Sequence, residues 1–147
     1  MLKRLQNVHG KNIDVMNTAA VAMVRGMGVI KNRNTKQAEL PAAATSAGIF
    51  FLDADKQLSG INSAYGEVSE YNALLDNIAA GEGVQLEKGL LGERFATDQV
   101  TGTPALDDYL EVGTDGLWVK ALAATPYQCG GTVTDNGHTL YIIEVVA

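Results

Sequence analysis

Asp53, Asp55 and Gln57 stand at the first, third and fifth positions of a calcium-loop spacing, where alternate side chains would converge oxygen ligands on one cation. The sixth position, which needs glycine for a sharp turn, is Leu58, and the twelfth, which needs a bidentate acid, is Ala64. The stretch therefore reads as an Asx turn closing a strand. Asp135 and His138 offer an acid and a base, but nucleophile, base and orienting acid must converge, and Asp135-Asn136-Gly137-His138 has the composition of a surface turn. In an extended chain the adjacent carboxylates Asp107 and Asp108 point to opposite faces, which disfavours shared acid–base work. Gly26-Met27-Gly28 and Gly81-Glu82-Gly83 begin like dinucleotide fingerprints, but Lys31 and Leu86 occupy the place of the third glycine. The single cysteine, Cys129, closes no internal disulfide and is too little for a structural zinc site. It reads as small apolar filler, since nothing sets His9 or His138 beside it as a base. No catalytic residue, cofactor or metal is expected.

Charge is the stronger signal. Up to Lys36 the chain carries seven of its eleven basic residues, Lys3, Arg4, Lys11, Arg25, Lys31, Arg33 and Lys36, against one acid, Asp14. The remainder sets four basic residues against sixteen carboxylates, so that segments of +6 and −12 make up the chain's net charge of −6. The split suggests a basic segment that meets a negatively charged partner and an acidic body that repels its own copies. The alternative is that the basic segment folds back on the acidic body. Nucleic acid is the less fitting partner: no aromatic residue precedes Phe50 to stack on bases, and the acidic body would repel a duplex. Met16 to Ile30 is apolar, but Arg25 interrupts it and it falls short of the roughly 20 residues of a membrane span. Lys3 and Arg4 could open a secretory signal, yet the apolar block from Ala19 to Val24 is too short for one, so synthesis in the cytoplasm is expected.

At 147 residues, 46% of them hydrophobic, the chain can bury a substantial core. Residues 1–47 read as an extended basic arm, with Pro41 to Ala47 (PAAATSA) as a linker or surface-tracing loop, and residues 48–147 as a β-rich body. Ile49 to Leu52 reads as a strand. Tyr71, Leu74, Leu75 and Ile78 lie at i, i+3, i+4 and i+7, and predict one short helix capped by Asn62 or Ser63 and ending at Gly81. Val84 to Leu86 is a short alternating strand. Tyr109 to Val112 and Leu117 to Ala121 alternate on either side of Gly113-Thr114-Asp115-Gly116, a hairpin turn. In that pairing Trp118 faces outward opposite Leu117, Val119 and Ala121, as an oligomer anchor; alternatively it caps the core. A second hairpin turns at Asp135 to His138 and returns in TLYIIEVV, whose unbroken apolar run implies burial on both faces except near Glu144. The fold class is mainly β, a small barrel or β-tulip-like body with many short strands.

Gly28-Val29-Ile30 invites comparison with the nucleoside motif of trimeric deoxyuridine triphosphatases, where an aspartate would follow. This chain has Lys31, and the other motifs of those enzymes are missing. From Gly81 onward GEGVQLEKG, YLEVGTDGLWVKA and DNGHTLYIIEVV resemble the decoration, or cement, proteins of tailed-bacteriophage heads. The resemblance covers under half of the chain. It implies a virion protein, commonly trimeric, that sits on the outer capsid surface and bridges major capsid subunits with a terminal arm, without catalytic residues. It makes the seven cations and Trp118 the expected partner-binding residues. The alternatives are a β-barrel module of another virion part, such as tail or fibre attachment, and a small trimeric hydrolase.

Overall fold

The unbroken run at the end of the chain becomes an interior strand. In the computed structural model, which describes residues 1–6, 13–55 and 76–147, strand β13 (His138–Val145) lies between β12 (Tyr127–Asp135) and β9 (Arg94–Thr97). The antiparallel sheet continues to β1 (Leu2–Gln6) on one side and to β10 (Tyr109–Val112) and β11 (Trp118–Lys120) on the other, in the order β1-β9-β13-β12-β10-β11. Leu140, Ile142, Ile143 and Val145 are all buried, so consecutive residues of β13 are covered from both faces.

Both expected hairpins form. Val112 pairs with Trp118 across the first, and Asp135 with His138 across the second. The second turn sets φ positive at both Asn136 and Gly137, as a two-residue hairpin matched to the strand twist requires.

A second sheet closes on itself. Strands β2 (Ile13–Ala19), β5 (Gln37–Glu39), β4 (Gly28–Asn32), β6 (Phe50–Ala54) and β8 (Gly83–Glu87) form a five-stranded barrel in that order, parallel only between β2 and β5. Strands β3 (Met23–Val24) and β7 (Asn77–Ile78) make a two-stranded flap. Ile78 was expected on the apolar face of a helix ending at Gly81; it pairs instead with Met23 in an extended strand and is buried in the barrel core. Asn77 likewise pairs with Val24, and residues 62–75 of that expected helix lie outside the described residues.

Period-2 alternation divides the barrel strands between two cores. Val29, Leu52, Val84 and Leu86 point into the barrel with Ala19, Met23, Ala38 and Ile78. Phe51, on the opposite parity of β6, leaves the barrel and joins Leu2, Phe95, Leu110, Val112, Trp118, Tyr127, Ile143 and Val145 under the large sheet. Phe51 stacks on Phe95 at 4.0 Å and on Trp118 at 5.0 Å between ring centroids. Trp118 also meets Tyr127 edge-on at 5.0 Å. Barrel and sheet therefore share one aromatic junction.

Two expectations are corrected here. The basic segment is not an extended arm, because its described part supplies β1 to the large sheet, β2, β4 and β5 to the barrel and β3 to the flap. Met1 and Leu2 are buried, and the junction core joins Leu2 to residues beyond 48, so a division at 47/48 separates nothing. The PAAATSA stretch does trace the surface, clipped to β10 by paired backbone hydrogen bonds between Thr45 and Val112. Trp118 does not face outward. It is fully buried and its indole N–H donates to the carbonyl of Gly26 at 3.3 Å. The apolar count on one face of β11 favoured Leu117 and Val119 as the inner pair, but one indole covers more apolar area than either and has a partner for its N–H.

Candidate functional site

Four of the seven cations in the basic segment are held by acids of the same chain. Lys3 pairs with Asp135, and Lys31 pairs with Asp14. Arg4 shares the face of Leu2 on β1 and so points at the barrel, where it donates to Asp53 at 2.8 Å and to Glu87. Arg25 donates to Asp76 at 3.1 Å and lies 3.9 Å from Asp53. Glu87 is 1% exposed, and burial pushes its carboxyl above the ordinary range although Arg4 pulls the other way. This network fastens β1 to the barrel wall. The back-folded alternative therefore holds for Lys3, Arg4 and Arg25, whose partners lie in the acidic body, whereas Lys31 pairs with the one acid of the basic segment itself.

Arg33 and Lys36 are exposed at the β4–β5 turn, and Lys11 lies outside the described residues. Arg33 belongs to a different constellation at one end of the barrel. Strand β2 enters there, β8 and β4 leave there, and β6 begins there, because β2 and β6 run antiparallel to β8 and β4 antiparallel to β6. An open cleft of about 370 Å³ at this mouth is lined by Asp14, Lys31, Arg33, Gly48, Phe50 and Lys88. Each strand contributes through its inward parity: Lys31 and Arg33 follow Val29, Phe50 precedes Leu52, Lys88 follows Leu86, and Asp14 is the register partner of Leu86. Phe50 packs against the barrel core and floors the cleft.

The ion pair between Lys31 and Asp14 links β4 to β2, which are not neighbours in the barrel. The hydrogen bond from Lys31 holds the Asp14 carboxyl below the ordinary range, and Asn17 adds a second at 3.1 Å. Arg33 and Lys88 are exposed and have no ion-pair partner among the described residues. The cleft thus sets three cations against one carboxylate, above an apolar floor.

Next to Asp14 the β2–β8 register slips between Asp14 and Asn17, and the bulge turns Val15 and Met16 to solvent, 51% and 85% exposed. Met16 has φ +64°, a left-handed conformation unfavourable for a side chain of this kind. Exposed apolar side chains on a strained bulge are features that collect at binding sites.

Comparison with known protein families, with curated proteins and with solved structures finds no match for this chain. Its chemistry must then be read from the mouth itself. Among the described residues no group of three or more His, Cys, Asp and Glu could hold a metal ion, and no helix is long and apolar enough to cross a membrane. What the mouth offers is recognition of an anionic group beside an apolar one.

Sequence reasoning found Lys31 and Arg33 through the basic segment but missed Lys88, Asp14, Phe50 and Met16. Lys88 stands among acids in the sequence, and only the barrel's closure brings it to Arg33. Its parity with Val84 and Leu86 was a readable signal that it leaves the barrel on the inward side. Cys129 is buried, and burial pushes its thiol up, as expected of apolar filler.

Proposed function

We propose that this protein is a structural component of a tailed-phage head, docking on the outer surface of the capsid and reinforcing contacts between major capsid subunits. The observation that carries the reading is the resemblance in GEGVQLEKG, YLEVGTDGLWVKA and DNGHTLYIIEVV. These segments form β8, the β10–β11 hairpin and the β12–β13 hairpin of this body. The cationic mouth with its apolar bulge supports a docking role, because it presents both kinds of contact on a rigid barrel end. The basic residues that would have formed a tether mostly stabilise the body itself, so docking belongs to a folded surface instead of a threaded strand. Assembly as a trimer around local threefold axes would multiply weak contacts by avidity.

Incubating purified protein with phage shells that lack it, followed by electron microscopy and heating, tests the reading. Regular density on the outer surface and shells that survive a higher temperature are expected. Equal survival with and without the protein, or labelling of tails alone, would remove the capsid role. The second outcome would favour a tail or fibre module.

A further inference from the structure

We infer that the barrel mouth is a binding site for an acidic peptide segment that carries apolar side chains among its carboxylates. The inference rests on the docking reading only for the identity of the protein that supplies the segment; the binding itself follows from the mouth.

Three observations converge. First, Lys31, Arg33 and Lys88 line one cleft with a single carboxylate, Asp14, among them. That carboxylate holds Lys31 in place by an ion pair across the mouth. Arg33 and Lys88 stay exposed without an ion-pair partner among the described residues, although the chain carries an excess of six negative charges and five of its other cations besides Lys31 have found acids. Two open cations lining one cleft beside Lys31 point to an anion supplied from outside.

Second, the cleft is floored by Phe50, and the exposed Val15–Met16 bulge directly follows the cleft residue Asp14 along β2. A free phosphate or an isolated carboxylate would use only the cations. A segment that alternates acids with apolar residues would use both parts. Methionine suits such a surface, because its flexible thioether adapts to different partner side chains.

Third, the net charge of the whole chain discriminates between polyanions. A duplex brings a dense row of phosphates to a protein of net charge −6, so long-range repulsion opposes its approach. A short peptide carries fewer charges and presents them locally, where the mouth's own cations dominate over distances of about 10 Å at moderate salt.

The test titrates isotope-labelled full-length protein with an acidic dodecapeptide of glutamate carrying two central leucines, alongside its lysine counterpart and a duplex oligonucleotide. Saturable amide shifts confined to Asp14, Met16, Lys31, Arg33, Gly48 and Lys88 are expected with the acidic peptide alone. The double variant R33E/K88E should weaken that binding at least about tenfold, equivalent to 1.4 kcal/mol. Replacing Met16 with serine should weaken it less. Both substituted cations are exposed, so the variant keeps its fold, and R33Q/K88Q provides a milder version with the same expected direction. Shifts at another surface, affinity unchanged in both double variants, or tighter binding of the duplex at the mouth would overturn the inference. Shell decoration by the unaltered protein, read in parallel, separates the two proposals. Peptide binding at the mouth without decoration removes the capsid reading and supports this one, whereas decoration with peptide shifts away from the mouth does the reverse.

Discussion

The indole N–H of Trp118 donates to the carbonyl of Gly26, 3.3 Å away, and the hydroxyl of Thr97 donates to the same oxygen at 3.2 Å. The amide of Gly26 in turn donates to Leu52 of the barrel at 2.9 Å. One glycine thus ties the barrel to both halves of the large sheet, and the tryptophan stacked on Phe51 covers the joint.

Replacing Trp118 with alanine should destabilise the protein by about 3–5 kcal/mol, through lost burial and the cavity left between Phe51 and Tyr127. The phenylalanine variant keeps most of the packing and loses the hydrogen bond, for a cost nearer 1 kcal/mol. Urea unfolding at neutral pH measures both. Equal, small losses would mean that the ring is not the hinge of the junction.

Gly26 has φ +100°, and a Cβ there would lie 2.3 Å from both the Met1 carbonyl oxygen and the Thr97 hydroxyl. Gly137 also has positive φ, at +80°, but a Cβ there meets nothing within 4 Å. Alanine at 137 should therefore cost only the conformational penalty, about 1–2 kcal/mol. Alanine at 26 should cost clearly more, because backbone must also move. Thermal unfolding of the two variants side by side gives the ranking.

Glu87 and Arg4 predict a pH-dependent defect. The Glu87 carboxyl titrates above its ordinary 4.5 because it is buried, and Arg4 moderates the rise. Replacing Arg4 with methionine should raise it further. A raised carboxyl favours folding while protonated, so its contribution is present below pH 4.5 and is lost as pH climbs through the folded value. The R4M variant should consequently lose about 3–5 kcal/mol relative to the unaltered protein at pH 7, where a buried carboxylate is left without its main partner. It should lose much less at pH 4. Denaturant titrations of both proteins at the two pH values decide the matter, and a defect independent of pH would exclude the mechanism.

At the barrel mouth the direction reverses. Lys31 holds Asp14 below its ordinary 3.8, so the stabilisation from this pair is complete above pH 3.8 and disappears as pH falls through the folded value. Carbon-detected NMR of the Asp14 carboxyl should give a midpoint below 3.8 in the unaltered protein. The midpoint should return toward 3.8 when Lys31 becomes methionine. No change on that substitution would mean that the pair across the mouth does not form in solution.

Short-range signals along the chain were enough to specify its local pieces. Asp115-Gly116 and Asn136-Gly137 dictated two hairpins, because positive φ is accessible to few residues. Alternation in Tyr109 to Val112 and Val84 to Leu86 dictated strands, and the unbroken run in TLYIIEVV announced an interior one. These are near-neighbour effects, encoded within a few residues. Tertiary structure alone decided what crosses between elements. It turned the basic segment into five strands whose cations meet Asp53, Asp76, Glu87, Asp14 and Asp135, none of them predictable from separation along the chain. It put Trp118 inside, because the barrel supplies Phe51 and the Gly26 carbonyl to receive it. It also brought Lys88 to Lys31 and Arg33, since closing a barrel places strand ends far apart in sequence around a single rim. Local conformation depends on each residue's own sterics, whereas a long-range ion pair or a shared cleft depends on which sheets close and how they stack, and the whole chain settles that together.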